Sequence, residues 1–425
     1  MREDIKKRIA AVRRGEMPDG YIETMAGVIP SDWSNAPLSK ISDVLSEQAG
    51  EQVFETLSIS AGIGFVNQAE KFGKELSGKQ YTKYTVLRRG NFAYNKGNSK
   101  RYPQGCTYML KERDEAAVPN VFECFRITQG HPEYYEQLFI NGFMNKQLTR
   151  KINHGVRDDG LLNLTDEDFY STVMPIPSLA EQKKIAEVLA TCDQVIELKQ
   201  QLLEEKRRQK QWLMQKLLDP NSGVHLPGFE CTKWTETPLA SICKFIGGGT
   251  PDTSNEHYWN GTIPWISSAD LQDGNIHSVH ATRFITEEAV KNSATKICPK
   301  DSILIVSRVG VGKIAIAPVE LCTSQDFTNL VDVNGNLYFI TLQIQREIQR
   351  ILTMTQGTSI KGIASKEIKA VAISLPSRSE QDAIAKVLEC SDREISLSEK
   401  EIKAWQQKKK ALMQLLLTGL VRTKY

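Results

Sequence analysis

The sequence lacks the patterns of a membrane, secreted or metal-binding protein. It has no run of about 18 uninterrupted apolar residues, so no membrane span is expected. The N-terminal run MREDIKKRIAAVRRGEMPDGY has neither an apolar core nor a small-residue cleavage site, which predicts a cytoplasmic protein. The eight cysteines are isolated, without C-x-x-C pairs or zinc-type histidine spacing, and are interpreted as buried or incidental thiols.

The charge balance is also unremarkable. Lys and Arg number 54 against 51 Asp and Glu, and the net charge of +3 does not by itself require a nucleic-acid partner. A chain of 425 residues is too long for one ordinary domain and is comfortable for two or three.

Motifs for catalysis are missing as well. Gly310-Val311-Gly312-Lys313 lacks the four-residue spacer and the final Ser or Thr of a phosphate loop. Neither an Asn-Pro-Pro-Tyr-type tetrapeptide of adenine methylation nor a G-x-G-x-x-G helix start for a bound cofactor occurs. Pro251-Asp252 and Glu367-Ile368-Lys369 lie too far apart to indicate a nuclease, and the histidines, such as His131 and His257, are isolated.

An internal repeat organises the chain. Residues 177–218 and 376–417 align without gaps and share 17 of 42 positions, which indicates duplication. A second echo precedes each copy, because DWSNAPLSKI around Trp33 returns as KWTETPLASI around Trp234. The two halves therefore begin and end alike, while their middles, roughly 43 to 175 and 244 to 374, diverge.

The repeated ends predict two long helices. Ser178 and Ser377 suit N-caps, each with a glutamate three residues later, as in a capping box. No Pro or Gly follows until Pro220 and Gly419, which gives some 40 residues, or about 60 Å of helix at 1.5 Å per residue.

Apolar residues recur along both helices at coiled-coil spacing, so the helices are expected to pack on each other and to fix a distance. Lys199, Lys206 and Lys210 interrupt the first stripe, and looser pairing is expected there. The alternative is that each helix lies independently on its own domain. The predicted packing residues are Ile185, Leu189, Ile196, Leu203, Leu213, Leu217, Ile384, Leu388, Ile395, Ile402, Trp405, Leu412 and Leu416.

The divergent middles predict mixed domains of roughly 140 residues each. In the second, SILIVSRVG, KIAIAPVE, NLYFITLQI and VAISLP are predicted strands, and TEEAVKNSA and LQIQREIQRILTM are helical patterns. In the first, TKYTVLRRGNFAYN and NVFECFRI are predicted strands and HPEYYEQLFINGFMNKQL a helix.

The segment FIGGGTPDTSNEHYWNGTIPWISSADL, from Phe245 to Leu271, resembles the opening of the target-recognition domain in specificity subunits of type I restriction-modification enzymes. CPKDSILIVSRVGVGKIAI, GTSIKGIASKEI and ISLPSRSEQDAIAKVL follow in that family's order, so the resemblance covers nearly the whole second half. The first half resembles another branch of this family through VLRRGNFAYNKGNSKRYPQG and IPSLAEQKKIAEVL. RRGEMPDGYIETMAGVIPSDW resembles the stretch after a long helix, as in a circular permutation, which implies that the chain ends meet.

The resemblance implies an α+β fold. Two globular α/β target-recognition domains form a pseudo-two-fold repeat, separated by two long antiparallel coiled-coil helices. The expected domains are an N-terminal segment packing near the C-terminal helix (1–30), recognition domain 1 (31–176), the central spacer helix (177–219), recognition domain 2 (220–375) and the C-terminal spacer helix (376–425).

The resemblance also implies a non-catalytic role in DNA restriction and modification. Each recognition domain would read one part of a bipartite double-stranded DNA site, as dimeric readers use two half-sites. The helices would set the gap and dock two methyltransferase subunits, which bring S-adenosylmethionine, and restriction motor subunits would bring ATP, Mg and cleavage. A coiled-coil interaction scaffold without DNA readout remains an alternative, and a self-sufficient enzyme is disfavoured by the missing motifs.

Candidate DNA contacts lie in two predicted loops. The basic and aromatic loop of the first half offers phosphate and guanine contacts, with a solvated hairpin tip as the alternative. In the second half, a strand-turn-strand that points Arg308 and Lys313 toward DNA is preferred over a nucleotide-binding loop. The predicted DNA-binding residues are Lys96, Asn98, Lys100, Arg101, Tyr102, Thr250, Ser307, Arg308, Gly310 and Lys313.

Overall fold

The computed structural model describes residues 3–73, 78–97, 102–152, 161–230, 232–354 and 362–423. The chain divides into two compact units, and each long helix contributes residues to both. Unit 1 comprises Met1–Gln200 and Lys400–Tyr425, and unit 2 comprises Gln201–Glu399. None of the helices in the described part of the chain combines the length and the hydrophobicity that a membrane span requires.

Unit 1 and the first long helix contain short strands and mostly short helices. The helices are Glu3–Arg13 (α1), Leu38–Ile41 (α2), Gln68–Phe72 (α3), Pro132–Ile140 (α4), Asn145–Lys151 (α5), Asp166–Tyr170 (α6) and Leu179–Leu217 (α7). The strands are Tyr21–Thr24 (β1), Gly27–Pro30 (β2), Ser34–Pro37 (β3), Ser42–Val44 (β4), Leu57–Ser60 (β5), Gly64–Asn67 (β6), Thr85–Arg88 (β7), Phe92–Asn95 (β8), Cys106–Met109 (β9), Glu115–Val118 (β10), Glu123–Ile127 (β11) and Val173–Ile176 (β12).

Unit 2 and the second long helix also combine short strands with helices. The strands are Thr235–Pro238 (β13), Lys244–Gly247 (β14), Ile263–Ile266 (β15), Arg283–Ile285 (β16), Ile297–Cys298 (β17), Ile303–Val306 (β18), Ile314–Ile316 (β19), Leu321–Thr323 (β20), Phe327–Val331 (β21) and Ala372–Leu375 (β22). The helices are Glu287–Lys291 (α8), Leu337–Met354 (α9), Ser365–Ala370 (α10) and Arg378–Leu417 (α11). The mixed helix and strand content agrees with the predicted α+β class.

Each unit contains an antiparallel four-stranded sheet with the same connectivity. The order is β4-β11-β8-β9 in unit 1 and β14-β21-β18-β19 in unit 2. The last two strands of each sheet follow each other in the chain, and we call the segments between them tip 1 (residues 96–105, of which the structure describes 96–97 and 102–105) and tip 2 (residues 307–313). The diverged middles therefore keep a common framework.

The long helices begin and end as predicted. The backbone amides of Glu181 and Glu380 donate to the hydroxyls of Ser178 and Ser377, 3.3 and 3.4 Å away, which caps α7 and α11. Helix α7 ends before Pro220 and α11 ends before the left-handed Gly419, neither of which continues a helix readily.

Within each unit the two helices run antiparallel. The predicted packing residues are all buried or half-buried. In unit 1, Ile185 and Leu189 of α7 share a core with Met413 and Leu416 of α11 and also with Phe169 of the globular part. The helices therefore pack on each other and on the globular residues at the same time, which combines the two alternatives drawn from the sequence.

Contrary to the expected loose pairing, all three lysines that interrupt the α7 stripe bond carboxylates of α11. Their side chains are only 29%, 25% and 17% exposed, and each ammonium reaches an acidic side chain of the other helix. The cross-helix pairs are Asp193–Lys409 and Lys199–Glu401 in unit 1, and Lys206–Glu394, Arg207–Glu399 and Lys210–Asp392 in unit 2.

One predicted strand is wrong. NLYFITLQI belongs to helix α9, whose first two turns are buried on nearly every side. A short apolar run buried all round has the same composition in a helix and in a strand, so periodicity does not distinguish them. The local signal is Asn336, whose side-chain oxygen accepts from the Phe339 amide at 2.9 Å and starts the helix.

The helix predicted over HPEYYEQLFINGFMNKQL is two helices. Helix α4 ends at Ile140 and α5 starts at Asn145. Gly142 between them has a φ of 67°, a left-handed conformation that glycine adopts without strain and that ends a helix.

Candidate nucleic-acid interface

Both tips are anchored in the same way. The carbonyl of Lys96, at the start of tip 1, accepts from the Leu162 amide at 2.9 Å. The carbonyl of Ser307, at the start of tip 2, accepts from the Ile363 amide at 2.8 Å. In each unit, the segment that precedes the short helix α6 or α10 is thus hydrogen-bonded to the base of the tip.

Tip 2 presents Arg308 to solvent on a fixed base. Ser307 donates from its amide (2.8 Å) and from its hydroxyl (3.0 Å) to the carbonyl of Asp326. The Arg308 side chain is 62% exposed, and its Nε lies 3.9 Å from an Asp326 carboxylate oxygen. Val309 beside it is 68% exposed. An anchored, exposed arginine is suited to contact a base or a phosphate.

Lys313, at the other end of tip 2, is bound within the protein. Its ammonium donates to the carbonyls of Ser268 and Leu271, both at 2.9 Å. A Cβ on Gly310 would lie 3.5 Å from the Ser268 side chain, so tip 2 packs against the 3₁₀ turn Ser268–Asp270. Two of the three ammonium donors of Lys313 are therefore used to connect these loops.

Gly248 and Gly249, just before Thr250, allow the backbone to come close to Ser324 and Thr295. A Cβ at Gly248 would lie 2.0 Å from the Ser324 carbonyl, and one at Gly249 would lie 2.4 Å from the Thr295 amide nitrogen. The amide of Gly249 donates to the Thr323 carbonyl at 2.8 Å. This packing explains physically why the motif needs glycine at these two positions.

The same loop brings Thr250 to a residue that the sequence did not single out. The Thr250 hydroxyl hydrogen-bonds the side-chain oxygen of the exposed Gln325. Gln325 adjoins Asp326, to which tip 2 is anchored, so both residues belong to this edge of unit 2. No periodicity or motif marks them, because only the fold brings residues 250 and 325 together.

In unit 1, Lys96 is neutralised by two carboxylates. Its ammonium lies 2.7 Å from Glu123 and 2.7 Å from Asp166, and its side chain is only 12% exposed. Burial raises the pKa of Glu123, although hydrogen bonding by Lys96 opposes this, whereas Lys96 lowers the pKa of Asp166. In this arrangement the Lys96 ammonium has little positive field to offer to a phosphate.

The structure describes one of the four other predicted residues of tip 1. Asn98, Lys100 and Arg101 lie outside the described residues. Tyr102 is half-buried, and its carbonyl accepts from the Gly105 amide at 3.1 Å. The end of tip 1 is therefore a turn next to strand β9.

The segments that the sequence analysis weighed as nucleotide-binding or nuclease motifs have other placements in the described residues. Gly310–Lys313 leads into strand β19, whereas a phosphate loop opens a helix. Glu367 caps α10 by accepting from the Ala364 amide at 2.7 Å, and His131 lies 3.2 Å from Glu133. Among the residues that the structure describes, no group of three His, Cys, Asp or Glu side chains is placed to hold a metal ion.

The comparisons with known proteins agree on one family. The model of the type I restriction modification DNA specificity domain matches residues 124–206 and 232–405, more than half of the chain. The MjaIX specificity subunit of Methanocaldococcus jannaschii is 34% identical over 40% of this chain and 40% of its own length. The putative MjaX specificity subunit of the same organism is 24% identical over 96% of this chain and 97% of its own length.

Solved structures show the same fold. A chain from a study of complex assembly and conformational transition in the type I R-M system has a TM-score of 0.59 at 18% identity, over 92% of this chain and 99% of that one. The HsdS subunit of Thermoanaerobacter tengcongensis has a TM-score of 0.51 at 18% identity, over 92% and 98%. With more than half of its residues matched by the family model, the chain belongs to the family of type I restriction-modification DNA specificity proteins.

Proposed function

We propose that this chain is the DNA-reading specificity subunit of a type I restriction-modification enzyme. The observation that carries the proposal is the repeated framework: each unit holds the same four-stranded sheet with an anchored tip, while the sequences of the two tips differ. A common frame with different tips suits two readers of two different half-sites. The chain supplies the sequence specificity and carries out no chemistry on the DNA.

We assign half-site reading to residues 31–176 and 220–375. The helical segments 177–219 and 376–425 are proposed to set the gap between half-sites, with residues 1–30 beside the C-terminal helix. Contacts inside unit 1 support the last assignment, since the Tyr21 hydroxyl donates to the Gly419 carbonyl at 2.7 Å.

The long helices are also proposed to dock two methyltransferase subunits, through which restriction motor subunits join the complex. In unit 2, the helices expose Leu202, Trp212 and Leu397, which are 52%, 50% and 58% exposed. Large apolar side chains on a helix surface suit a protein partner. S-adenosylmethionine would be bound by the methyltransferases, and ATP and Mg by the motor subunits.

The pattern of DNA methylation in the source cells tests this function. Long-read sequencing of the source cells, with and without this chain, should show loss of adenine methylation at a two-part motif with a fixed gap. Exchanging residues 244–374 for the corresponding segment of another specificity subunit should then change one half-site and leave the other half and the gap unchanged.

Three results would contradict the proposal. An exchange that alters both half-sites would refute the independence of the two readers. Methylation that persists without the chain would exclude it as the specificity subunit. Co-purification with partner proteins but no sequence preference for DNA would favour the interaction scaffold instead.

A further inference from the structure

We propose that Arg308 reads a guanine in the half-site of unit 2, and that Lys313 is the positioning residue that holds tip 2 in place. The inference rests on the proposed DNA-reading function and goes further by naming a base and by separating the two cations. From the sequence alone, both residues are equivalent candidates for DNA contact. Their surroundings in the fold are different.

Arg308 has the exposure and the fixed base that a reader needs. Its side chain is 62% exposed, while the residue before it is hydrogen-bonded on both sides, through the Asp326 carbonyl and the Ile363 amide. A guanidinium presents a rigid fork of donors, which matches the O6 and N7 acceptors of guanine in the major groove. Because the backbone is anchored, little further ordering is required when this fork meets the base.

Lys313 has the opposite character. Its ammonium donates to the carbonyls of Ser268 and Leu271, residues 45 and 42 positions earlier in the chain, at 2.9 Å each. These bonds hold the end of tip 2 to the 3₁₀ turn that follows β15. Because two of its three donors are bound to these carbonyl oxygens, the Lys313 ammonium is held beside the 3₁₀ turn. Moving it toward a phosphate would weaken the bonds that support the tip carrying Arg308.

A third cation near this edge is also engaged. The Arg283 guanidinium lies 4.2 Å from the Trp265 ring centre and 5.6 Å from that of Trp259. Such cation–π stacking holds the exposed Arg283 side chain against these two rings. Among these three cations, Arg308 is the one whose partner in the protein, the Asp326 carboxylate at 3.9 Å, is beyond hydrogen-bonding distance.

The test uses the full-length chain, purified with the methyltransferase subunits that associate with it. A randomised duplex DNA library is selected for binding by the wild type, and the selected duplex is then titrated against salt. The variants are Arg308→Ala, Arg308→Lys, Lys313→Met and Lys313→Arg. The control is Lys300→Ala, which removes an exposed cation that precedes strand β18, at the end opposite to tip 2.

Arg308→Ala should lose discrimination at one guanine position of one half-site, by about 5- to 100-fold, with the other positions unchanged. Arg308→Lys should recover only part of it, because an ammonium lacks the fork geometry. Lys313→Met should weaken preference at the same position without reducing the slope of log affinity against log salt, and Lys313→Arg should restore it. Lys300→Ala should leave the preference intact.

The contrary outcomes are distinct. If Arg308→Ala weakens binding to all sequences equally and lowers the salt slope by about 0.9, Arg308 contacts a phosphate and the inference is wrong. A similar slope change in Lys313→Met would give Lys313 a phosphate contact and refute its positioning role. A wild type that selects a two-part site without any guanine affected by Arg308 overturns the inference but not the function, whereas a wild type that selects no sequence overturns both.

Discussion

The sheet of unit 1 is packed with aromatic rings, whereas the equivalent sheet of unit 2 is packed with branched aliphatic side chains. Phe92 and Phe125 occupy paired positions on neighbouring strands and stack with ring centres 5.3 Å apart. The corresponding pair in unit 2 is Ile303 and Leu330, both fully buried. Cores tolerate such exchange when total volume and patterning are kept, so the same backbone framework accommodates both fillings.

The contact between each long helix and the tryptophan just before β3 or β13, which we call the joint, differs much less between the units. In unit 1 the Trp33 indole donates to the Glu181 carboxylate at 3.0 Å, and in unit 2 Trp234 donates to Glu380 at 3.3 Å. Both carboxylates are almost completely buried. A buried charge requires its partners, so these positions restrict sequence more than the apolar core does.

A second bond completes each joint in a different way. In unit 1, Arg422 donates to Glu181 and to Asp32, and the guanidinium lowers the pKa of Asp32. In unit 2 the Thr232 hydroxyl donates to Glu380 at 2.6 Å. Thr232 lies in the segment that links α7 to β13, whereas Arg422 lies in the tail after α11. Each buried glutamate is therefore satisfied by whichever chain segment passes it.

The largest expected effect concerns the glycine loop, which unit 2 has and unit 1 lacks. Gly248→Ala would place a Cβ 2.0 Å from the Ser324 carbonyl, so backbone must move, and we expect unfolding to become easier by about 2–4 kcal/mol. Gly247→Ala is the matched control, because nothing lies within 4 Å of its Cβ position. Denaturant unfolding measures both, and equal stabilities of the two variants would contradict the close-approach explanation.

Sequence reasoning succeeded where the signal is local or repeated. The helix boundaries at Ser178 and Pro220 follow from caps and breakers, which act within a few residues. The ion pairs of Lys96 and the hydrogen bonds of Lys313 do not follow from local signals. The carboxylates and carbonyls that bind these two lysines lie 27 to 70 residues away in the chain and come close to them only in the folded protein. The strand predicted at the start of α9 failed for the related reason that burial on all sides removes the periodicity.

The next effect concerns one aspartate in each copy of the long helix. Asp392 pairs with Lys210, accepts from the Tyr338 hydroxyl at 2.5 Å, and has a side chain 24% exposed. Its counterpart Asp193 bonds Lys409 alone among the described contacts and is 49% exposed. We expect Asp392→Asn to cost about 2–3 kcal/mol of unfolding free energy, against at most about 1 kcal/mol for Asp193→Asn.

Acid titration sharpens the same contrast. Burial alone would raise the pKa of Asp392, but the His277 imidazole 3.7 Å away and the hydrogen bonds from Lys210 and Tyr338 outweigh it and hold the pKa at about 2. Because the folded value lies below the ordinary 3.8, this carboxylate stabilises the fold above about pH 4 and loses that contribution as the pH falls through about 2. In the wild type, the protection of the α9 amides from hydrogen exchange should fall as the pH drops through about 2. The same acid-dependent fall in Asp392→Asn would contradict the assignment of this effect to the Asp392 carboxylate.

The smallest effect is expected at the lysines that interrupt the helix stripe. Lys206 and Glu394 in unit 2 are 25% and 52% exposed, and Lys199 and Glu401 in unit 1 are 29% and 62% exposed. Since partly exposed ion pairs are worth little, a double-mutant cycle on either pair should give a coupling of about 0.2–1 kcal/mol that weakens with salt. Lys206→Leu should change stability by no more than about 0.5 kcal/mol, because the leucine replaces the buried stem while the exposed ammonium is lost. A coupling above about 2 kcal/mol would mean that the lysines hold the helices together. A small coupling leaves that role to buried apolar residues of the helices, such as Leu203 in unit 2 and Ile402 in unit 1.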